Sequence, residues 1–400
     1  MNKPLEGLKI VDFSWAAAGP VVTSVLACYG AEVIKVETHK NLDNTRTLMP
    51  FVGGIQTPDR ASGFITVNAG KYSITLNLKT PKGKDIAKRL VKRADIVVEN
   101  FTSGTMTELG LGYEDCKQIK PDIIYLSSNM YGQTGPYAKR GGFGGTLLSS
   151  SGLMHLTGWP DQSPREPGYV YTDFIAPKFA LLGLLAALDF RRRTGKGQHL
   201  DVSQLETVPF YQSPLVLDNQ VNGRDAVRQG NRSNYAAPHG VYRCQGKHRY
   251  IAITVFSDDE WQKFCQVMGQ QALAQDPEFS TVLNRLKNVD KVDILVEDWT
   301  MLHTTEEVMK LMQGAGIAAG IVQNGQDLDN DPQLKDYYWE INHNELGVLP
   351  YRGTPIKSSE FNYEVKPSPR LGEHNDYIYT EVLGITDIEF AELLQQGVFE

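Results

Sequence analysis

The sequence predicts an α/β protein with a Rossmann-like large domain, built on a mainly parallel sheet, and a smaller α/β domain. Three observations point there. The first two hundred residues alternate short apolar, strand-like runs with helical segments, a pattern that calls for crossover connections and a sheet covered on both faces. The texture changes near residue 225, where two β-rich runs flank a glycine-containing turn. The length, 400 residues, exceeds what one hydrophobic core usually holds.

Taken in order, "LKIVDF" (8–13) reads as a buried strand, and "AAAGPVVTSVLACYG" follows as a helix opened near Pro20 and closed by Gly30. "AEVIKVE" (31–37) is the second strand. Residues 38–62 carry little periodicity and read as an ordered loop at the carboxyl edge of the sheet. "SITLNL" (73–78) is a strand, and in "TPKGKDIAKRLVKRA" Thr80 caps a helix that Pro81 starts. "DIVVEN" (95–100) and "DIIYLSSN" (122–129) are further strands with a helical stretch between them. In the second half, "GVYRCQG" and "HRYIAITV" make a hairpin, and Ser257 with Glu260 has the spacing of a capping box. "TTEEVMKLMQGAGIAAGIVQ" is a helix followed by a strand. The expected division is a large domain over 1–224, a small one over 225–330, and a segment 331–400 that returns to the first.

Composition narrows the function. A formal net charge of −7 gives no electrostatic reason to expect nucleic acid or an anionic membrane as partner. The longest apolar run, around Phe179 to Leu188, is too short to span a bilayer. Cys28, Cys116, Cys244 and Cys265 are scattered without CxxC spacing, which favours reduced thiols in a cytoplasmic protein over a disulfide framework or a zinc site.

Several familiar chemistries lack their residues. There is no GxxxxGK[ST]; "RRRTGKGQ" (191–198) reads as a basic helix end with a glycine turn. No GxGxxG follows the first strand, which disfavours a dinucleotide dehydrogenase. The eight histidines include no HExxH, and no GxSxG elbow occurs. What remains are glycine-bearing segments after strand ends: "AAAGP" (16–20), "ENFTSG" (99–104) and "MYGQTGPYAKRGGFGG" (130–145). Each alone is ordinary turn chemistry, but in an open parallel sheet such ends line one crevice, and their repetition favours an extended ligand. Asp173, in "GYVYTDFIAPKFALLGLLAALDF" (168–190), stands just ahead of a dense apolar run and reads by itself as the N-cap of a helix over 174–190.

With these segments assembled, the chain resembles the family III CoA-transferases over essentially its full length. The resemblance is carried by "PLEGLKIVDFSWAAAGPVVTSVLACYGAEVIKVE", "NAGKYSITLNLKTPKGK", "ADIVVENFTSGTMTELGLGYE", "SSNMYGQTGPY", the Asp173 stretch, "RRRTGKGQHLDVSQLE" and "PRLGEHNDYIYTEVLG". It implies two subunits interlocked like chain links, as a homodimer or with a homologous subunit. It also implies a large domain built from both chain ends, and coenzyme A thioester as substrate with no tightly bound cofactor or metal. Carried over by position, Asp173 matches the catalytic aspartate, which the resemblance makes a nucleophile as well as a cap. Ala16 and Ala17, with Glu37, Thr38, His39 and Lys40, match the region contacting adenosine and phosphates. Asn100, Phe101 and Met106 match the segment on pantetheine and nucleotide, and Lys71 and Tyr72 lie beside another contact. Lys139 and Arg140 are candidate phosphate contacts.

Departures from the family pattern bear on the substrate. Ala17 stands where some members carry a glutamine, and the tetraglycine loop of the formyl-CoA enzyme is replaced by "NYAAPHGVYRC" (234–244). The expectation is a larger acceptor facing Tyr235 and His239, with His239 equally readable as a satisfied structural histidine. The "DFSWAAAGP" opening resembles the branch that passes CoA from succinyl-CoA to benzylsuccinate. Two rivals stand beside this reading. One is an α-methylacyl-CoA racemase, although the segment after "MYGQTGP" lacks the histidine that branch uses; the other is a CoA-binding subunit supporting a homologous catalytic partner.

Overall fold

The computed structural model describes residues 3–343 and 345–400. Six strands, β1 (Lys9–Asp12), β2 (Glu32–Glu37), β3 (Tyr72–Thr75), β4 (Ile96–Glu99), β5 (Ile124–Ser127) and β6 (Gln198–Asp201), form one sheet in the order β3-β2-β1-β4-β5-β6. Every pairing in it is parallel. This is a doubly wound layout, whose strand order reverses between β1 and β4.

Successive strand residues serve opposite faces, as the period of two requires. Ile10, Val33, Ile96 and Ile124 pack in one core with Ala180 and Leu184 of the Tyr171–Thr194 helix. Their neighbours Val11, Ile34, Val97 and Tyr125 pack in the other with Leu90 of the Pro81–Arg93 helix. Thr80 caps that helix through a bond from the Gly83 N–H, as its sequence indicates. The first helix runs from Ala18 to Cys28, so it opens two residues before Pro20.

Two of the expectations need correction. β6 has no counterpart in the sequence reading, which stops at the basic helix end and glycine turn of "RRRTGKGQ" (191–198); the alternately exposed "QHLD" that follows that turn makes a short edge strand. The Asp173 helix begins at Tyr171 with Val170 as its N-cap, so Asp173 is the third residue of the helix and not its cap. The loop over 38–62 is ordered, with three short 3₁₀ turns.

The chain divides into two compact units. The first comprises residues up to Leu153, Gly168–Asp225 and Asp336–Glu400; the second comprises Met154–Pro167 and Ala226–Lys335. Within the first, the chain end closes the open edge of the sheet. The Thr75 N–H donates to Asn375 Oδ1, the Tyr379 hydroxyl donates to the Thr75 carbonyl, and the Asn77 N–H donates to the Val398 carbonyl. A hairpin of β10 (Tyr338–His343) and β11 (Gly347–Arg352) precedes that end.

The second unit holds an antiparallel sheet of β7 (His239–Arg243), β8 (Tyr250–Thr254) and β9 (Ala318–Ile321), with β7 and β8 forming the expected hairpin. Ile251, Ile253, Trp261, Phe264 and Met312 form its core. Ser257 and Glu260 make the reciprocal bonds of a capping box. Among the described residues no helix is long and apolar enough to cross a membrane.

Candidate active site

The carboxyl ends of β1 and β4 flank the point where strand order reverses, the usual ligand position in such sheets. The loop after β1 is braced from both sides. Asn100, just past β4, accepts the Trp15 N–H (2.8 Å) and donates to the Trp15 carbonyl (2.7 Å), and Phe101 meets the Trp15 ring edge-on at 5.5 Å. Ala16 adopts φ +60°, a left-handed conformation that an alanine holds only when its surroundings enforce it. Its N–H donates to Asp43 Oδ1. Gly19 is required next, because a Cβ there would lie 2.3 Å from Ser14 Cβ. Ala17 is the N-cap of the following 11-residue helix and has no capping side chain, while the first turn carries no acidic residue. That leaves its N-terminal N–H groups and dipole suited to an anion such as a diphosphate.

Beneath the loop lies a buried polar network. Lys35 Nζ donates to the Ser14 carbonyl and to Asp43, while Lys71 Nζ donates to Asp12, to the Pro20 carbonyl and to Asn68 Oδ1. All four ionised side chains are fully buried, so each requires its partner. Burial, only partly offset by Asp12, brings Lys71 down to about 8. Lys71 thus holds the loop from below, with its ammonium spent inside the protein.

Asp173 sits in the first turn of a 24-residue helix and is half-buried. Burial pushes its carboxyl up to about 6. Gly144, opening a short helix after the "GGFGG" run, lies directly against it: a Cβ at 144 would stand 3.2 Å from Asp173 Oδ2 and 2.6 Å from Val170 Cγ1. Aromatic rings flank the carboxylate in sequence, with Tyr169 stacked on Phe174 at 4.8 Å and edge-on to Tyr171 at 6.3 Å.

The remaining sequence candidates separate into walls and free groups. Glu37 is buried and forms a two-pronged pair with Arg46 (2.8 Å to each oxygen), so it shapes the loop over 38–62. Thr38 donates to the Glu400 carbonyl and Lys40 pairs with the Glu400 carboxylate, while His39 is exposed. Tyr72 packs between His374 and Tyr377. Met106 belongs to the core. Lys139 and Arg140 are exposed, and the Arg140 guanidinium stacks on Tyr137 at 3.9 Å. Tyr235 and His239 belong to the second unit: Tyr235 lies parallel to Phe256, and the His239 ring is tied to the Asn231 carbonyl at 2.5 Å.

Sequence reasoning passed over a second polar cluster, at the ends of β4, β5 and β6. Ser127 Oγ meets His199 Nε2 at 2.9 Å, His199 stacks on Tyr113, and burial raises the neighbouring Glu99 to about 7. A charge inside an apolar strand was the available signal for Glu99 and for Lys35 alike.

The pattern of CoA-transferase family III matches residues 5–375. The chain belongs to that family. It is 33% identical over 402 residues to the succinyl-CoA:glutarate CoA-transferase of Homo sapiens, covering 100% of this chain and 90% of that one. It is 32% identical to the succinyl-CoA–D-citramalate CoA-transferase of Chloroflexus aurantiacus, covering 99% of this chain and 98% of that one. The crystal structure of a CAIB/BAIF family protein from Brucella suis superposes with a TM-score of 0.88 at 33% identity, over 96% of this chain and 100% of that one. This protein is therefore a CoA-transferase.

Proposed function

We propose that this CoA-transferase works through an aspartyl-CoA thioester on Asp173, with succinyl-CoA as donor. A half-buried carboxylate raised to about 6, lying against a glycine in a family III chain, is the observation that carries the reading. An Asp173 oxygen attacks the donor's thioester carbonyl; the C–S bond breaks and CoA leaves as thiolate, giving a mixed anhydride. The thiolate then attacks the aspartyl carbonyl, the anhydride C–O bond breaks, and the donor acid departs as carboxylate. The acceptor carboxylate attacks the resulting aspartyl thioester and the thiolate leaves again. Thiolate attack on the acceptor's carbonyl then regenerates Asp173 and yields the new thioester. No water, proton or redox equivalent is consumed.

Backbone N–H groups of the 141–145 glycine run are our candidates for stabilising the tetrahedral oxyanions, since Gly144 already abuts Asp173. CoA is assigned to the loop of Ala16 and Ala17 and to Asn100 and Phe101. Its phosphates are assigned to Lys139 and Arg140, neither of which makes an ion pair among the described residues. Benzylsuccinate is the acceptor to test first.

An interlocked assembly with a second or homologous subunit is supported by the apolar residues that the Tyr171–Thr194 and Thr207–Asn222 helices leave exposed. Among them Leu182, Phe210 and Val221 are 67%, 64% and 70% exposed. The four cysteines are buried and free, which suits a cytoplasmic setting. Mass spectrometry of protein mixed with succinyl-CoA should show CoA bound at Asp173 and none in Asp173→Ala. Absence of the adduct on the intact chain, or racemisation of a 2-methylacyl-CoA that survives Asp173→Ala, overturns the reading.

A further inference from the structure

The helix that presents Asp173 also presents a second face. Phe174, Pro177, Lys178 and Leu181, spaced as one helical stripe, line a cavity of about 760 Å³ within the first unit. Opposite them stand Val21 and Val25 of the first helix, Tyr29, and Tyr351 and Arg352 of β11. The volume is that of a pocket for an organic molecule well above acetate in size.

Its chemistry is one-sided. No Asp or Glu lines it, whereas Lys178 and Arg352 both do. Among the described residues neither cation makes an ion pair. The Arg352 guanidinium gives a single hydrogen bond, from Nε to the Thr66 carbonyl at 3.4 Å. Two of the four tyrosine hydroxyls around it are already used within the protein, Tyr29 with Thr354 (2.8 Å) and Tyr351 with Ser368. Those rings therefore face the cavity's chemistry as apolar walls. A half-buried arginine without a counter-ion, among aromatic and aliphatic side chains, matches a carboxylate on an apolar body.

One aromatic pair links this cavity to the nucleophile. Phe174 lines the cavity and its ring stacks on Tyr169 at 4.8 Å. Tyr169 is close enough to both Arg352 and Asp173 for their charges to act on its hydroxyl in opposite directions, beneath the larger effect of burial.

We infer that this cavity is the subsite for the non-reacting end of a dicarboxylic acid, whose second carboxylate pairs with Arg352 while an apolar spacer of about ring size lies against Tyr29, Phe174 and Tyr351. Lys178, exposed at the helix surface, adds positive charge at the rim. The inference rests on Asp173-dependent transfer as proposed above. It assigns acceptor choice to residues of the large unit, leaving Tyr235 and His239 outside that task.

The test pairs each diacid with the monoacid that lacks one carboxylate: 2-benzylsuccinate with 4-phenylbutyrate, and glutarate with butyrate, all with succinyl-CoA as donor. Arg352→Gln should raise KM for the diacids about 10- to 100-fold, the effect of losing a charged hydrogen-bonded pair. It should leave KM for the monoacids and kcat within about threefold, as for a contact made equally in ground and transition states. Arg352→Lys should recover part of the diacid KM. Unchanged diacid KM in Arg352→Gln, or an equal rise for monoacid and diacid, overturns the subsite. The two readings fail separately. Lack of an aspartyl-CoA adduct on the unaltered protein sinks the Asp173 mechanism; an adduct there, with diacid KM indifferent to Arg352, sinks only the subsite.

Discussion

Replacing Asp173 by asparagine should abolish transfer and, at alkaline pH, make the protein more stable. Burial raises this carboxyl from 3.8 to about 6. The folded chain therefore holds the proton more tightly than the unfolded one. The stability this provides is full below pH 3.8 and is lost as pH rises through about 6. Above that, keeping the ionised carboxylate in place costs about 3 kcal/mol, roughly two pH units at 1.36 kcal/mol each, falling to about 1.5 kcal/mol at pH 5. Asparagine carries no charge and escapes the penalty. Against this stands the loss of an anion in the first turn of a long helix, about 0.3–1 kcal/mol. The net expectation is a gain of about 2 kcal/mol at pH 8 that shrinks to below about 1 kcal/mol at pH 5. Urea unfolding of both proteins at the two pH values, followed by circular dichroism, measures the difference. An asparagine variant less stable than its parent at pH 8, or equally favoured at both pH values, would refute the account of Asp173 as a carboxylate strained by burial. The same shift predicts that kcat/KM for the donor falls about tenfold per pH unit below pH 6, as the nucleophile protonates.

Three further substitutions probe the frame around it. Gly144→Ala places a Cβ 2.6 Å from Val170 Cγ1 and 3.2 Å from Asp173 Oδ2, and should lower kcat about 100-fold by shifting the carboxylate, as read in single-turnover transfer. Asn100→Ala strips the Trp15 N–H and carbonyl of their partner; it should cost about 2 kcal/mol in urea and raise KM for acyl-CoA by about tenfold or more. A stability loss with unchanged KM would remove the Trp15 loop from the CoA site. Arg46→Ala leaves Glu37 as an unpaired buried carboxylate and should destabilise the fold by about 3–5 kcal/mol, with a urea midpoint equal to the parent's contradicting it.

The apolar strands and helix caps were legible because their determinants are local. Thr80 with Pro81, and Ser257 with Glu260, announce their helices within a few residues. The glycine segments after β1, β4 and β5 were legible as a crevice because a parallel sheet puts every strand's end on one side. What escaped was whatever depends on a distant partner. Asp12 and Lys35 are charges in apolar strands, but their partners, Lys71 and Asp43, show only once the fold brings them together. Arg352 is unremarkable in "LPYR" until the helix over Tyr171–Thr194 and the first helix close a cavity around it. Residues 154–167 carry no sign that they join the second unit, where Arg228 donates to the His155 carbonyl and the Gly230 N–H to the Gly158 carbonyl. The helix start at Tyr171 is hidden in the sequence because an aspartate two residues later is so common a cap.

Moving Asp173 from cap to third helical residue changes what its environment does for catalysis. A capping carboxylate spends its lone pairs on backbone N–H groups, which hold its pKa low and dull it as a nucleophile. Glu99 shows the contrast within the same sheet edge: burial raises it further, to about 7, yet its oxygens take the Phe101 N–H at 2.8 Å and the Gln133 amide at 3.4 Å. Among the described residues no backbone N–H donates to the Asp173 carboxylate. At pH 7 a group titrating near 6 is about nine-tenths ionised, so the reactive form predominates while burial keeps it poorly solvated. Of Asp173 and Glu99, Asp173 is the one that combines charge at neutral pH with a carboxylate no backbone N–H holds and a glycine beside it. Those are the properties that carboxylate attack on a thioester demands.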